Sequence, residues 1–304
     1  MTDRQHDDFS HGAAYVDGEV VPIDQAKISI LDSGFGRSDV TYDVVAVWEG
    51  AFFRLDRHVD RFLRSAQALR MAPPLHRGEI IDVLTTLVRT SGLRESFVEM
   101  VCTRGVPAAG SRDPRTYVNR FYAYAIPYVW ILRPEQLESG MDAFVSRRTR
   151  RIPADSVDPT VKNFHWADLT RAQFEAYDQG AHFPILLGHD GLVTEGAGYN
   201  VFALVGDEFV TPSSGVLEGV TRQTVLDLAA GVGLASRVDE LTEEQLRGAQ
   251  EVFATSTAGG IMPITSIDGS PVGAGTIGHR TRSLHQAYWQ AHRDPEFITP
   301  VSYD

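Results

Sequence analysis

ILLGHDGLVTEGAGYNVFALVGDEFVT, running from Ile185 to Thr211, sets four short apolar segments between closely spaced turns. Ile185–Gly188, Leu192–Thr194, Tyr199–Val205 and Glu208–Thr211 read as strands, with Asp190-Gly191 and Gly206-Asp207 as two of the turns. Strands following one another this closely form a meander, not a regular βα alternation. The class is therefore α+β, a mixed α/β protein with many short strands. At 304 residues the chain has room for two modest domains.

The same signals recur on either side of this stretch. Tyr15–Val21 reads as a hairpin about Asp17-Gly18. Val40–Trp48 and Phe52–Leu55 form a strand pair about Glu49-Gly50. Asp56 is expected to N-cap a helix whose apolar stripe is Val59, Phe62, Leu63, Ala66 and Leu69. Pro73-Pro74 ends that helix, and Ile80, Leu84, Leu87 and Val88 line a second. Ser96–Thr103 alternates, placing Phe97, Glu99 and Val101 on one face and Val98, Met100 and Cys102 on the other. Arg104–Arg115 reads as a loop. Pro127 inside Phe121–Leu132 marks an edge strand or a connection. Met141–Arg150 is a strand, His165–Gln179 and Thr221–Ala230 are helices, Thr242 with Gln245 makes a capping box, and Val252–Thr255 is a strand. The expected boundaries are a flexible lead-in over 1–12, a small domain over 13–125, a connection over 126–134 and a larger domain over 135–304.

Composition excludes several classes. A net charge of −12 argues against general nucleic-acid binding, and the arginines at 147, 148, 150 and 151 read as a solvated strand face or rim. A single cysteine, Cys102, permits no internal disulfide and favours a cytoplasmic setting. No apolar run is long enough to span a membrane, and no secretory signal opens the chain. The histidines lack metal-ligand spacing, so no metal is expected. Gly273–Gly278 matches G-x-G-x-x-G, but a turn precedes it and too little chain follows for a dinucleotide fold.

Four segments carry chemistry. Lys162, in Thr160-Val-Lys-Asn-Phe-His-Trp166, stands among apolar and aromatic neighbours that favour the neutral amine needed for imine formation. Lys27 and Lys162 are the only lysines in the chain. Glu195, in Thr194-Glu-Gly-Ala-Gly-Tyr-Asn200, places a carboxylate beside glycines that admit a flat ring. His58 and Arg61 lie three residues apart on one helical face, away from its apolar stripe, and an arginine there suits a phosphate. Leu217-Glu-Gly-Val-Thr-Arg222 opens a helix whose free N–H groups suit an anion, and Ser256-Thr-Ala-Gly-Gly260 adds hydroxyls.

Together these segments resemble the fold-type IV pyridoxal-phosphate (PLP) aminotransferases, from about Tyr15 to the C-terminus. The likeness extends to the branched-chain and D-amino-acid enzymes and to aminodeoxychorismate lyase. Thr41-Tyr-Asp-Val, Phe97-Val-Glu, Pro127-Tyr-Val-Trp130, Val161-Lys-Asn and Thr257-Ala-Gly-Gly-Ile-Met-Pro-Ile264 bring it nearest to the (R)-selective amine transaminases. The resemblance implies a small α/β domain and a larger pseudo-barrel domain that binds PLP. It also implies an active site between them, shared across a homodimer. It makes Lys162 the catalytic Schiff-base lysine and Glu195 the partner of the pyridine nitrogen. It assigns Arg61, Val220, Thr221 and Thr257 to the phosphate, and Tyr42, Phe97, Glu99 and Trp166 to the substrate pocket.

Two departures bear on the donor. Arg37 stands where the amine transaminases have histidine and the branched-chain enzymes tyrosine, so it could pair with a substrate carboxylate. The loop at 104–115 is short, and Arg112 is its nearest candidate for that task. The expectation is therefore transfer from an (R)-amine or D-amino acid to a keto acid such as pyruvate. The alternatives are a branched-chain L-amino-acid aminotransferase, a lyase on the same cofactor, or a non-catalytic PLP-binding protein.

Overall fold

The computed structural model describes residues 8–304. By internal contacts the chain divides into a first unit, running to Val129 and including Val161–Phe164 and Asp294–Asp304, and a second comprising Trp130–Thr160 and His165–Arg293. The short segment bearing Lys162 thus groups with the first unit, as does the C-terminus, although both fall within the expected 135–304 domain. Of the expected lead-in over 1–12, residues 1–7 lie outside the described residues. Phe9 packs against the first core, and Gly12 N donates to Phe9 O.

In the first unit, β1 (Ala13–Val16) and β2 (Glu19–Pro22) form the expected hairpin, with Asp17 and Gly18 both at positive φ. A short helix α1 (Ser33–Arg37) precedes β3 (Val40–Trp48) and β4 (Ala51–Phe53). Helices α2 (Leu55–Ala68) and α3 (Arg77–Ser91) lead to the long strands β5 (Ser96–Val106) and β6 (Val118–Pro127). The last strand of the chain, β16 (Ile298–Pro300), returns to this unit and pairs with β4. The result is an antiparallel sheet ordered β16-β4-β3-β5-β6-β1-β2.

Alternation along β5 divides this sheet as the sequence implies. Val98, Met100 and Cys102 join Val45, Val47, Phe62, Leu84 and Leu87 in the core beneath α2 and α3. On the other face Val101 packs with Val40, Tyr42, Val44 and Tyr122, and Phe97 lies against them. The second face is where the chemistry gathers.

Three local expectations are corrected. Asp56 does not cap α2; the cap is Arg54, held in the left-handed region (φ 56) by Arg54 N donating to Phe297 O, and Asp56 lies in the first turn. The strand expected to end at Thr103 runs on to Val106, because Gly105 (φ 95) lets Val118 O come where any Cβ would lie, 1.9 Å away. Of the two alternatives for Pro127, the edge strand fails and the connection holds, the first unit ending at Val129. The strand β6 is interior, and the proline is simply its last residue, where no further ladder bond is needed.

In the second unit, β7 (Met141–Arg150) is followed by α4 (Ala167–Asp178), β8 (Phe183–Leu187), β9 (Val193–Gly196), β10 (Tyr199–Val205) and β11 (Glu208–Pro212). Then come α5 (Val220–Gly231), β12 (Ala235–Asp239), α6 (Glu243–Gly248), β13 (Val252–Ser256), β14 (Gly260–Ile267), β15 (Ser270–Pro271) and α7 (His279–Ala291).

The order β10-β13-β14-β7-β8-β9 closes on itself because β9 also pairs with β10, so these strands make a barrel, with β11 and β12 continuing outward from β10. Met141, Ala143 and Val145, Ile185 and Leu187, Tyr199 and Val201, Ala254, and Met262 and Ile264 form its common apolar cluster. The fold is thus α+β, a sheet-and-helix unit and a barrel unit. Thr242 and Gln245 cap α6 as expected, and Gly273–Gly278 is a loop ahead of α7.

Candidate active site

The first unit places Lys162 on β3. Tyr42 N and Thr41 Oγ1 both donate to Lys162 O, at 3.2 and 2.7 Å, and Thr41 bridges to Asn163. Lys162 N donates to Ser65 Oγ at 3.3 Å. The segment is therefore pinned at both backbone groups of the lysine while its side chain reaches away. Nζ lies 4.3 Å from the Tyr42 ring centre, and Phe164 packs on the same ring at 4.6 Å. The two rings thus fix where the half-buried amine stands.

Beneath it, α2 presents a polar stripe at His58, Arg61 and Ser65, each buried. The first two meet Asp43, a wholly buried carboxylate on β3. Arg61 donates to it from Nε (2.7 Å) and Nη2 (2.8 Å), and His58 Nδ1 lies 2.8 Å away. Burial opposes ionisation of Asp43, yet Arg61 and His58 together hold it far below the ordinary carboxylate range. Burial lowers His58, so the neutral ring donates Nδ1–H to the carboxylate.

Glu99 lies on β5, buried, opposite Val44 of β3. Burial pushes its carboxyl up to about 7, against the pull of the Tyr124 hydroxyl, which donates to Oε2 at 2.8 Å, and of Lys162. Tyr42, Phe97 and Glu99 thus share the face toward which the lysine segment is pinned.

The second unit sets Glu195 at the end of β9, 5% exposed. Its Oε1 accepts from Arg151 Nε at 3.0 Å, and its Oε2 accepts from Leu217 N at 2.9 Å and Asn200 Nδ2 at 3.4 Å. Arg151 in turn donates from Nη1 to Asp168 Oδ2 at 2.7 Å. Burial alone would favour loss of the Arg151 proton, but Glu195 and Asp168 raise its pKa. Carboxylate and guanidinium are thus a buried, hydrogen-bonded pair.

The bond from Leu217 N also ties Glu195 to the start of α5. Gly219, the N-cap, sits so close to Asn200 that a Cβ would fall 2.2 Å from Oδ1. Val220 and Thr221 open the helix and are buried, with Thr221 bonded to the Tyr288 hydroxyl. Thr257 lies in the turn between β13 and β14, and Trp166 caps α4, its ring within 3.2 Å of where a Gly198 Cβ would be.

Arg37, at the end of α1, and Arg112, in the loop between β5 and β6, are both exposed. The arginine cluster divides. The exposed Arg147 meets Glu243 and Asp268, the exposed Arg148 meets Asp178 and the buried Glu175, and Arg150 is exposed, whereas Arg151 turns inward to Glu195. Asp43, Arg151 and Asp168 are functional candidates that sequence motifs did not single out. A charged residue in the apolar run of β3 was the available signal for Asp43.

Comparison with known proteins decides the family. The model of amino-transferase class IV matches residues 41–267, most of the chain. The chain belongs to the class IV aminotransferases. Over 276 residues this class IV aminotransferase is 31% identical to a putative branched-chain-amino-acid aminotransferase of Methanocaldococcus jannaschii, covering 90% of this chain and 94% of that one. It is 28% identical to a branched-chain-amino-acid aminotransferase-like protein 2 of Arabidopsis thaliana, covering 90% of this chain but spanning only 49% of the plant protein. A branched-chain amino acid aminotransferase from T.th., solved with pyridoxamine 5'-phosphate, superposes with TM-score 0.90 at 30% identity, covering 96% of this chain and 99% of that one.

The enzyme is a PLP-dependent aminotransferase. These relatives are named for branched-chain substrates, so they do not carry the expected nearness to (R)-selective amine transaminases. The side chains present suit PLP: a pinned amine, a buried ion-paired carboxylate, a buried guanidinium and a helix N-terminus carrying a buried threonine. Among the described residues no helix is long and apolar enough to cross a membrane, and no cluster of His, Cys, Asp or Glu suits a metal ion.

Proposed function

We propose that this aminotransferase moves the amino group of an apolar, branched-chain L-amino acid to a keto acid, through PLP held by Lys162. Bound PLP supplies an electron sink for the bond broken at the substrate Cα. Lys162 holds the cofactor and moves the proton at Cα. Glu195, kept charged by Arg151, holds the proton on the pyridine nitrogen. Arg61, the N–H groups at Val220 and Thr221, and Thr257 take the phosphate. Homodimerisation belongs to this reading.

One observation carries the choice of donor. The sheet face around Lys162 is a wall of Tyr42, Val44, Phe97, Val101 and Tyr122, which suits an aliphatic side chain. The names of the relatives point the same way. Glu99, in the same wall, favours a second reading, since a carboxyl group there disfavours a substrate carboxylate and suits a simple (R)-amine, which has none. Arg37, Arg112 and Trp166 bear on that choice only as candidates to close the pocket.

Half-reactions separate the two. Holoenzyme mixed with L-leucine, D-alanine and (R)-1-phenylethylamine is followed by loss of cofactor absorbance near 400 nm. Fast bleaching by L-leucine alone supports the branched-chain reading. Bleaching by the amine or D-alanine, with none by L-leucine, overturns it.

A further inference from the structure

Asp43 has no place in the proposed chemistry, yet it is the most thoroughly bonded carboxylate near Lys162. Its Oδ2 accepts from Arg61 Nε, and its Oδ1 accepts from Arg61 Nη2, His58 Nδ1 and Val44 N, all within 2.7–2.8 Å. The residue is fully buried, and Arg61 is 5% exposed. Burying a carboxylate this deeply costs desolvation that its ion pair need not repay, so stability alone is a weak reason for its presence.

The geometry of the pair shows what that could be. Asp43 engages Arg61 side-on, at the edge made by Nε and Nη2. A guanidinium has a second fork, at the edge made by Nη1 and Nη2, and side-on binding turns that fork away from Asp43 in a fixed plane. An end-on pair would instead place Asp43 itself on the Nη1–Nη2 edge. His58 holds the same carboxylate from the preceding turn of α2, so Asp43 cannot swing with the arginine.

We propose that Asp43 is a positioning residue that aims the Nη1–Nη2 fork of Arg61 at the phosphate of PLP, and so sets the preference of this enzyme for the phosphorylated cofactor. The proposal rests on the assignment of Arg61 to the phosphate. Asp43 touches neither cofactor nor substrate. It acts by removing the rotational freedom of a long side chain before the phosphate arrives. Because Asp43 is itself an anion, the opposite outcome is well defined. Were it only a competitor for Arg61, removing its charge would strengthen phosphate binding.

The test compares dissociation constants for PLP and for pyridoxal, which lacks the phosphate, in apo-protein. Four proteins are needed: wild type, Asp43→Asn, Asp43→Glu and Arg61→Gln. Asp43→Asn should lose about tenfold or more of the preference for PLP, the scale of one charge-assisted hydrogen bond, while pyridoxal binding stays within about twofold. Asp43→Glu keeps the charge but displaces the fork by one methylene, so its preference should fall between wild type and Arg61→Gln. That variant decides the matter if Asp43→Asn does not fold. An unchanged or increased preference for PLP in the Asp43 variants, or equal losses for both ligands, overturns the proposal. A wild-type preference in Arg61→Gln overturns the phosphate assignment instead.

Discussion

Arg151 Nε lies 3.0 Å from Glu195 Oε1, and both side chains are at least nine-tenths buried. The pair stands between two strands of the barrel and the start of α5, so charge, fold and helix position are coupled at one carboxylate. Replacing Arg151 by methionine keeps the volume and strands the charge of Glu195. The expected loss is about 3–5 kcal/mol of unfolding free energy, read from urea midpoints. The double variant Arg151→Met/Glu195→Gln should recover part of it, the rest reflecting Asp168, which loses the same guanidinium. A loss under about 1 kcal/mol in the single variant would mean that solvent reaches the pair.

Glu195→Gln tests the other side of the same relationship. Glutamine keeps the shape and one accepting oxygen, so it gives up either the bond from Arg151 or those from Leu217 N and Asn200, and it cannot hold a proton on a pyridine nitrogen. The half-reaction with the preferred donor should slow by about 10²–10³-fold, with cofactor affinity little changed. Stopped-flow rates at saturating donor check this. A full-speed variant would remove Glu195 from the chemistry.

Glu99 should make stability depend on pH. Its folded pKa, about 7, lies above the ordinary value of 4.5. Between those values the unfolded chain has released a proton that the folded chain keeps, so stability falls as pH rises from about 5 to about 7. Above the folded pKa the penalty is complete. Wild-type protein minus Glu99→Gln, compared by urea unfolding at pH 5 and pH 8, should show a relative loss of order 1–3 kcal/mol for the wild type. Tyr124→Phe removes a hydrogen bond that favours the charged form and should raise the titration further. Parallel pH profiles for wild type and Glu99→Gln would contradict the assignment.

Gly219→Ala should loosen the helix N-terminus without touching any proposed ligand side chain. The added Cβ would meet Asn200 Oδ1 at 2.2 Å, so either Asn200 leaves Glu195 or α5 shifts. The backbone of Gly219 (φ −62, ψ 134) is ordinary for alanine, so the cost is steric, not conformational. PLP affinity should drop about tenfold or more, measured by equilibrium dialysis, since a displacement of even a fraction of an ångström misaligns a helix-terminus anion site.

Much of this was legible in the sequence because period and turn chemistry are local. The hairpin at Asp17-Gly18, the faces of Ser96–Thr103 and the meander around Glu195 follow from alternation and glycine alone. What escaped depended on contacts distant in sequence. The closure of the barrel needs β9 to meet β10 while β7 meets β14, which no local pattern encodes. Arg151 looked like the last of a surface cluster, and only tertiary packing turns it from solvent to Glu195 and Asp168. Asp43 was visible as a charge in an apolar strand, but its partners lie 15 and 18 residues away on α2. Arg54 caps its helix by a bond to Phe297, which hid the helix start from any capping rule.

In the proposed reaction every step depends on Lys162, and the scarcity of lysine makes that role directly measurable. The chain contains Lys27 and Lys162 and no other lysine. Holoenzyme reduced with borohydride, digested and mapped by mass spectrometry should carry one phosphopyridoxyl group, on Lys162, with the absorbance near 400 nm shifted to shorter wavelength. A label on Lys27, or no covalent label from a protein that still turns over, would contradict the assignment of Lys162 to the cofactor.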